Sequence, residues 1–168
     1  MLKYAVAIVA GLLLLGAIFP ADAQGKRVLG VTEIVRLEPE GILVSAKLDT
    51  GASMTSLDAR NIRIVEREGQ RWVQFEFHND NAQITRLERP LARTARVRPA
   101  PDVVERRPVV MMTVCMGGAR REIQVNLVDR HKLSSRMLIG RNFLISAHVI
   151  VDSAIELTAP PLCDGGGS

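Results

Sequence analysis

Hydrophobic positions in this chain alternate far more often than they recur every three or four residues. Ile42, Val44, Ala46 and Leu48 interleave with Leu43, Ser45 and Lys47, which predicts a half-buried strand over 42–48. Val73, Phe75 and Phe77 alternate with Gln74, Glu76 and His78, placing a second strand over 72–77. With a strand over 61–66 it flanks Arg67-Glu68-Gly69-Gln70, a hairpin signal. Strands over 109–116 and 122–128 flank Gly117-Gly118-Ala119, and Ile123, Val125 and Leu127 mark one buried face of the latter. Val28 to Leu37 reads as one strand ending at the turn Glu38-Pro39-Glu40-Gly41, and a last strand runs near 148–157. Helix is scarce: only 141–147, just after Gly140, is a candidate. The Arg- and Pro-rich stretch 88–108 has no clear alternation and reads as a long irregular loop, of the kind that often serves as a lid. Many short strands with glycine turns predict an all-β barrel or sandwich.

The first 23 residues fall outside this pattern. A basic start, Met1-Leu2-Lys3, precedes an uncharged apolar run from Tyr4 to Pro20, then Ala21-Asp22-Ala23. This is the layout of a secretory signal peptide cut after Ala23. An uncleaved anchor is the competing reading, because the run approaches the spanning minimum of about 17 residues. Cleavage would leave no stable membrane span and put the chain in the periplasm or outside the cell. It removes one basic and one acidic residue, so the net charge stays at +4. The remaining length suits one domain, and a core of that size needs no disulfide staples. Arginines crowd 86–107, giving either a surface for acidic partners or a solvated face. No nucleic-acid-binding motif is present. Export permits a Cys115–Cys163 disulfide. The apolar setting of Cys115 and the tail position of Cys163 favour two free thiols instead. Residues 161–168 read as a flexible tail.

The chemistry centres on "KLDTGASM", where the strand over 42–48 runs into Asp49-Thr50-Gly51-Ala52. Aspartate and glycine are poor strand residues, so the strand stops in a tight turn that displays one carboxylate. Such a carboxylate is either a turn former or a catalytic group. About ninety residues later comes "SRMLIGRNFL", in which Leu138, Ile139 and Gly140 precede Arg141-Asn142. Together the two segments resemble the retropepsin-like aspartic peptidases. "GQRWVQFEF" and "ERRPVVMMTV" are also similar to a bacterial group often labelled an ATP-dependent zinc protease. That label finds no support in the residues. There is no Gly-x-x-x-x-Gly-Lys-Ser/Thr loop for nucleotide phosphates. His78, His131 and His148 are scattered, with no His-Glu-x-x-His pair for zinc. No metal or cofactor is expected.

The resemblance implies a closed acid-protease barrel over 24–160 with one short C-terminal helix. It implies peptide hydrolysis by a water held between two aspartates, one Asp49 from each subunit of a homodimer. Thr50 would hold the partner loop, and Gly51 would allow close approach to a peptide or protein substrate. Leu138, Ile139 and Gly140 would back the turn, with Ala52 and Arg141 beside it, and 88–108 would be the flap. Ser53 stands where retroviral members carry the aspartate that pairs with this arginine, leaving Arg141 without that partner. The flap stretch has no glycine and carries Pro90, Pro99 and Pro101. In a monomer, Asp102 or Glu105 would have to supply the second carboxylate. These departures keep a second function open: a catalytically weak module of the same fold that binds a peptide or an envelope partner. A third is hydrolysis of an unusual acidic amide, which Arg93, Arg96 and Arg98 would favour by pairing with carboxylates.

Overall fold

The computed structural model describes residues 25–163 apart from 80 and 82, so the signal-peptide expectation lies outside the described residues. In chain order the elements are β1 (Arg27–Gly30), β2 (Thr32–Glu38), β3 (Ile42–Leu48), β4 (Thr55–Asp58), β5 (Arg60–Arg67), β6 (Gln70–His78), β7 (Ile84–Ala100), β8 (Val103–Met116), β9 (Ala119–Val128), β10 (Met137–Ile139), α1 (Arg141–Ser146) and β11 (Val149–Asp152). Strands β2, β3, β10, β4, β9 and β8 pair in that order, and β2 pairs back onto β8. The result is a closed six-stranded barrel. β7, β6 and β5 continue the sheet beyond β8, while β1 and β11 form a separate parallel pair. Among the described residues no helix is long and apolar enough to cross a membrane.

The alternating positions fill one core. Val44, Ala46 and Leu48 of β3 meet Val125 and Leu127 of β9, Met137 and Ile139 of β10, and Phe143 and Leu144 of α1. Val73, Phe75, Phe77 and Leu87 carry the same core out under the β5–β6–β7 extension. Burying a side chain of this size contributes about 1.5–3 kcal/mol. The two tight hairpins have positive φ at both central residues, 50° and 77° at Glu68-Gly69, 55° and 79° at Gly117-Gly118. This backbone matches the twist of the flanking strands.

Several elements depart from the sequence pattern. The single strand expected over 28–37 breaks at Val31, because β1 pairs with β11 while β2 joins the barrel. The irregular loop expected over 88–108 is instead a β-hairpin arm, made by the outer parts of β7 and β8 around a turn at Pro101-Asp102. Its outer β7 residues pair only with β8, so much of both faces meets water and no apolar alternation is required. The last strand stops at Asp152.

The cysteines also differ from expectation: Cys115 and Cys163 form a disulfide with their Cα atoms 5.7 Å apart. The tail is therefore anchored as far as Cys163, with Gly118 N–H donating to Leu162 C=O at 3.0 Å. Glu33, fully buried, holds the same tail. Its Oε1 accepts from Gly30 N–H at 2.7 Å and from Thr158 Oγ1 at 2.5 Å, and its Oε2 from Ala159 N–H at 3.1 Å.

Candidate functional site

β3 ends by handing its next amide to a neighbour: Asp49 N–H donates to Ile139 C=O at 2.9 Å. The carboxylate is then fixed by its own turn. Asp49 Oδ1 accepts from Gly51 N–H at 2.8 Å and from Ala52 N–H at 3.2 Å. Among the described residues no hydrogen bond reaches Oδ2, and Asp49 is half-buried, so one carboxylate oxygen remains open to solvent. A Cβ on Gly51 would sit 3.1 Å from Oδ1 and crowd the atom its own amide approaches. Thr50 and Gly51 are exposed.

The second motif backs this turn. β10 runs parallel to β3, with Leu138 opposite Lys47 and Ile139 opposite Leu48. Gly140 packs so closely that a Cβ there would lie 2.6 Å from the carbonyl carbon of Met54. Its N–H donates to Thr55 Oγ1 at 3.1 Å. Asn142 Oδ1 accepts from Thr55 N–H at 2.9 Å and Oγ1 at 2.8 Å, while Asn142 Nδ2 donates to Gln124 C=O at 2.8 Å. Arg141 N–H donates to Ala52 C=O at 2.8 Å. The Arg141 side chain, which lacks the carboxylate partner that retroviral relatives supply, donates instead to Thr50 C=O at 3.0 Å and Gly51 C=O at 2.8 Å. It therefore grips the backbone of the turn that carries Asp49.

Strand register extends the surface sideways. Lys47 pairs with Leu138, Leu138 with Ser56, Ser56 with Asn126, Asn126 with Val109, and Val109 with Arg93. Paired residues on adjacent strands point to one face, so these six form a row from β3 to the root of the arm. The arm adds Arg107, whose Nη1 donates to Asn126 Oδ1 at 3.4 Å. Glu105 is engaged on the arm itself: its Oε2 accepts from Arg107 Nε at 2.8 Å and Nη2 at 2.6 Å. Asp102 sits in the exposed turn at the arm's end. The structure thus ties Glu105 to an arginine rather than leaving it free as a second acid. The arginine cluster is split as well. Arg93 lies in the row, whereas Arg96 pairs with Arg106 on the opposite face of the arm from Arg107. A cavity of about 510 Å³, lined by Arg63, Gln74, Glu76, Arg86 and Glu88 among others, opens on the β5–β6–β7 sheet and shares no residue with this row.

One residue that carried no signal in the sequence belongs here. Arg130, in the loop after β9, is only 8% exposed. Its Nη1 donates to Ser56 Oγ at 3.0 Å, its Nε to Ser135 C=O at 3.1 Å and its Nη2 to Ser135 Oγ at 3.4 Å. Burial pushes its pKa down, Asp58 opposes that, Arg107 reinforces it and Asp49 opposes it. Nothing in "VDRHKLSSR" distinguishes a buried arginine from a solvated one.

Residues 28–161 match the family described as RimB-like, "Retropepsin-like aspartic endopeptidase RimB". The chain belongs to the RimB-like family. This RimB-like chain is 31% identical over 134 residues to a protein of Shewanella halifaxensis (strain HAW-EB4) named probable alpha-L-glutamate ligase, covering 77% of this chain and 29% of that protein. A protein of the same name from Parasynechococcus marenigrum (strain WH8102) is 32% identical over 131 residues, covering 76% of this chain and 28% of its own length. The RimB-like chain therefore spans less than a third of these curated relatives. Among solved structures it is similar to Lpg0085, a protein with unknown function from Legionella pneumophila subsp. pneumophila str. Philadelphia 1. The TM-score is 0.68 at 30% identity, covering 80% of this chain and 98% of that one.

Proposed function

We propose that this chain is an exported aspartic endopeptidase that hydrolyses peptide bonds as a homodimer, with Asp49 of each subunit flanking one water. The observation that carries the reading is the Asp49 carboxylate itself, held through Oδ1 by two backbone amides and open at Oδ2. One chain supplies one such group. The exposed Thr50 and Gly51 leave room for a second turn to meet the first. Two carboxylates at close range share a proton rather than both ionising, the situation the aspartic-protease dyad exemplifies. The ionised member takes a proton from water, whose oxygen attacks the peptide carbonyl carbon. The protonated member gives its proton to the carbonyl oxygen. Collapse of the tetrahedral intermediate breaks the C–N bond as a proton passes to the leaving nitrogen. The dyad titrates as a pair.

Lys47, Arg93, Arg107 and Arg130 around the row favour an acidic peptide, because guanidinium binds carboxylate in a two-pronged geometry. The relatives named probable alpha-L-glutamate ligase favour the same substrate class, since that name concerns glutamate. Export is supported by the apolar run ahead of Ala21-Asp22-Ala23 and by the Cys115–Cys163 bridge, a bond suited to oxidising compartments.

The test is the mass of the purified protein across dilution, followed by Asp49→Asn on acidic peptide libraries at mildly acidic pH. A two-fold mass that falls on dilution, with cleavage abolished in Asp49→Asn, is expected. Retained cleavage in that variant, or a strict monomer that still cleaves, refutes the shared dyad. A binding module of the same fold predicts instead that Asp49→Asn keeps its full biological effect.

A further inference from the structure

Arg130 is the one buried cation among the described residues, and its guanidinium meets only neutral oxygens. The nearest candidate acid is committed elsewhere. Asp58 Oδ1 accepts from the backbone N–H of Arg130 at 2.6 Å, and its Oδ2 lies 3.6 Å from Arg60 Nη2 and 3.5 Å from Arg136 Nη1. Burial of the guanidinium carries a desolvation cost that Asp58 and Asp49 offset only from a distance, since no carboxylate is in contact with it. Arginine has five N–H donors. Three are used by Ser56 and Ser135, so Nη1 and Nη2 each keep one N–H. Both of those N–H groups can donate to a carboxylate, the partner that a guanidinium fork fits. The anchor Ser56 lies in the same row as Lys47, two residues before Asp49, and the Asp49 charge acts on the guanidinium, so Arg130 sits beside the site that Asp49 heads.

We infer that Arg130 is the specificity-determining residue of this surface, receiving a carboxylate of the bound peptide close to the bond that is cut. This rests on the peptidase reading above. The carboxylate has two possible sources: an acidic side chain within the peptide, or the free C-terminus of a peptide that ends beside Arg130. The first gives internal cleavage beside an acidic residue. The second gives trimming from the end.

The test is fluorescence anisotropy on purified Asp49→Asn protein, which binds without turnover. The probes are an N-terminally labelled hexapeptide of glutamate, its single Glu→Gln replacements, and its C-terminally amidated form. The protein should bind one Glu position at least 10-fold better than Gln there, or the free acid that much better than the amide. The first result assigns a side-chain carboxylate and the second the terminus. Adding Arg130→Gln should erase that ratio while leaving the affinity for the neutralised peptide unchanged. Arg130→Lys, which keeps the charge without the fork, should fall between. A role confined to bracing the loop would weaken all peptides equally and leave the ratio intact, which overturns the inference. If wild-type protein cleaves and Arg130→Gln keeps the ratio, the inference alone fails. If no peptide binds or is cleaved, the peptidase reading fails with it. Should both Arg130 variants fail to fold, the ratio on Asp49→Asn protein decides, and its absence overturns the proposal.

Discussion

Replacing Asn142 by alanine tests whether the Gly-Arg-Asn segment supports the Asp49 turn from behind. Thr55 is fully buried, and Asn142 Oδ1 is the hydrogen-bond acceptor for both its N–H and its hydroxyl, at 2.9 and 2.8 Å. Asn142 Nδ2 also satisfies Gln124 C=O at 2.8 Å. Truncation strands one buried donor and one partly buried acceptor, each costing about 1–3 kcal/mol. The hydroxyl can turn to another partner, so it adds little. The expected loss is about 2–6 kcal/mol, against a total of about 5–15 kcal/mol for a domain. Asn142→Asp keeps the acceptor toward Thr55 and loses the donor to Gln124, so it should cost about half as much. The assay is denaturant unfolding at equilibrium, reading the midpoint at constant slope. Thr55→Val should be non-additive with Asn142→Ala, because both remove the bond from the Thr55 hydroxyl to Asn142 Oδ1. An Asn142→Ala midpoint equivalent to less than about 0.5 kcal/mol would refute the reasoning, since that is the ordinary range for surface changes.

Two further predictions concern the strap formed by the C-terminal tail. The Cys115–Cys163 bridge closes a separation of 48 residues, so Cys115→Ala with Cys163→Ala should cost about 4 kcal/mol by loop entropy. Unfolding with and without reductant measures it, and a reductant-insensitive wild type would refute it. Burial alone would raise the Glu33 pKa, but hydrogen bonds from Thr158, Ala159 and Gly30 bring it below the usual 4.5. Its stabilisation is therefore complete above that pH and lost as pH falls through the depressed value. Glu33→Gln should be less stable at pH 7, with the gap to wild type closing below about pH 4.5 in a pH series of melts. A gap that stays constant would refute it.

Much of this was legible in the sequence, and the rest was hidden for definable reasons. Val44, Ala46 and Leu48 alternate because one face of β3 lies in the core, and so do Ile123, Val125 and Leu127 of β9. The paired motifs were legible because a turn that must display a carboxylate uses residues that strands avoid. β4 was not. All four of its residues are buried, Thr55 and Leu57 toward the core and Ser56 and Asp58 under polar partners, so no contrast in polarity marks it. The arm was hidden for the opposite reason, since most of its faces are solvated. The disulfide depends on where the tail goes after β11, which no local pattern states. Arg130 is set by Ser56, 74 positions earlier in the chain, and by a loop that folds back on it.

On the proposed reading, these hidden features resolve an electrostatic problem. A dyad that shares one proton keeps a net negative charge, and an acidic peptide brings more of the same sign. Two like charges about 6 Å apart repel by about 3 kcal/mol at an effective dielectric of 20. Solvated arginines on a mobile surface would offset little of that, because water screens them and ordering them costs entropy. A guanidinium already buried, and already fixed by Ser56 and Ser135, has met those costs during folding. It can then return most of the Coulomb attraction when the carboxylate arrives. The arm-borne Arg107 is committed to Glu105 and has less to offer. An Arg107→Gln protein should therefore keep its preference for acidic peptides where Arg130→Gln loses it, and the reverse order would show that the arm, not the loop after β9, reads the substrate charge.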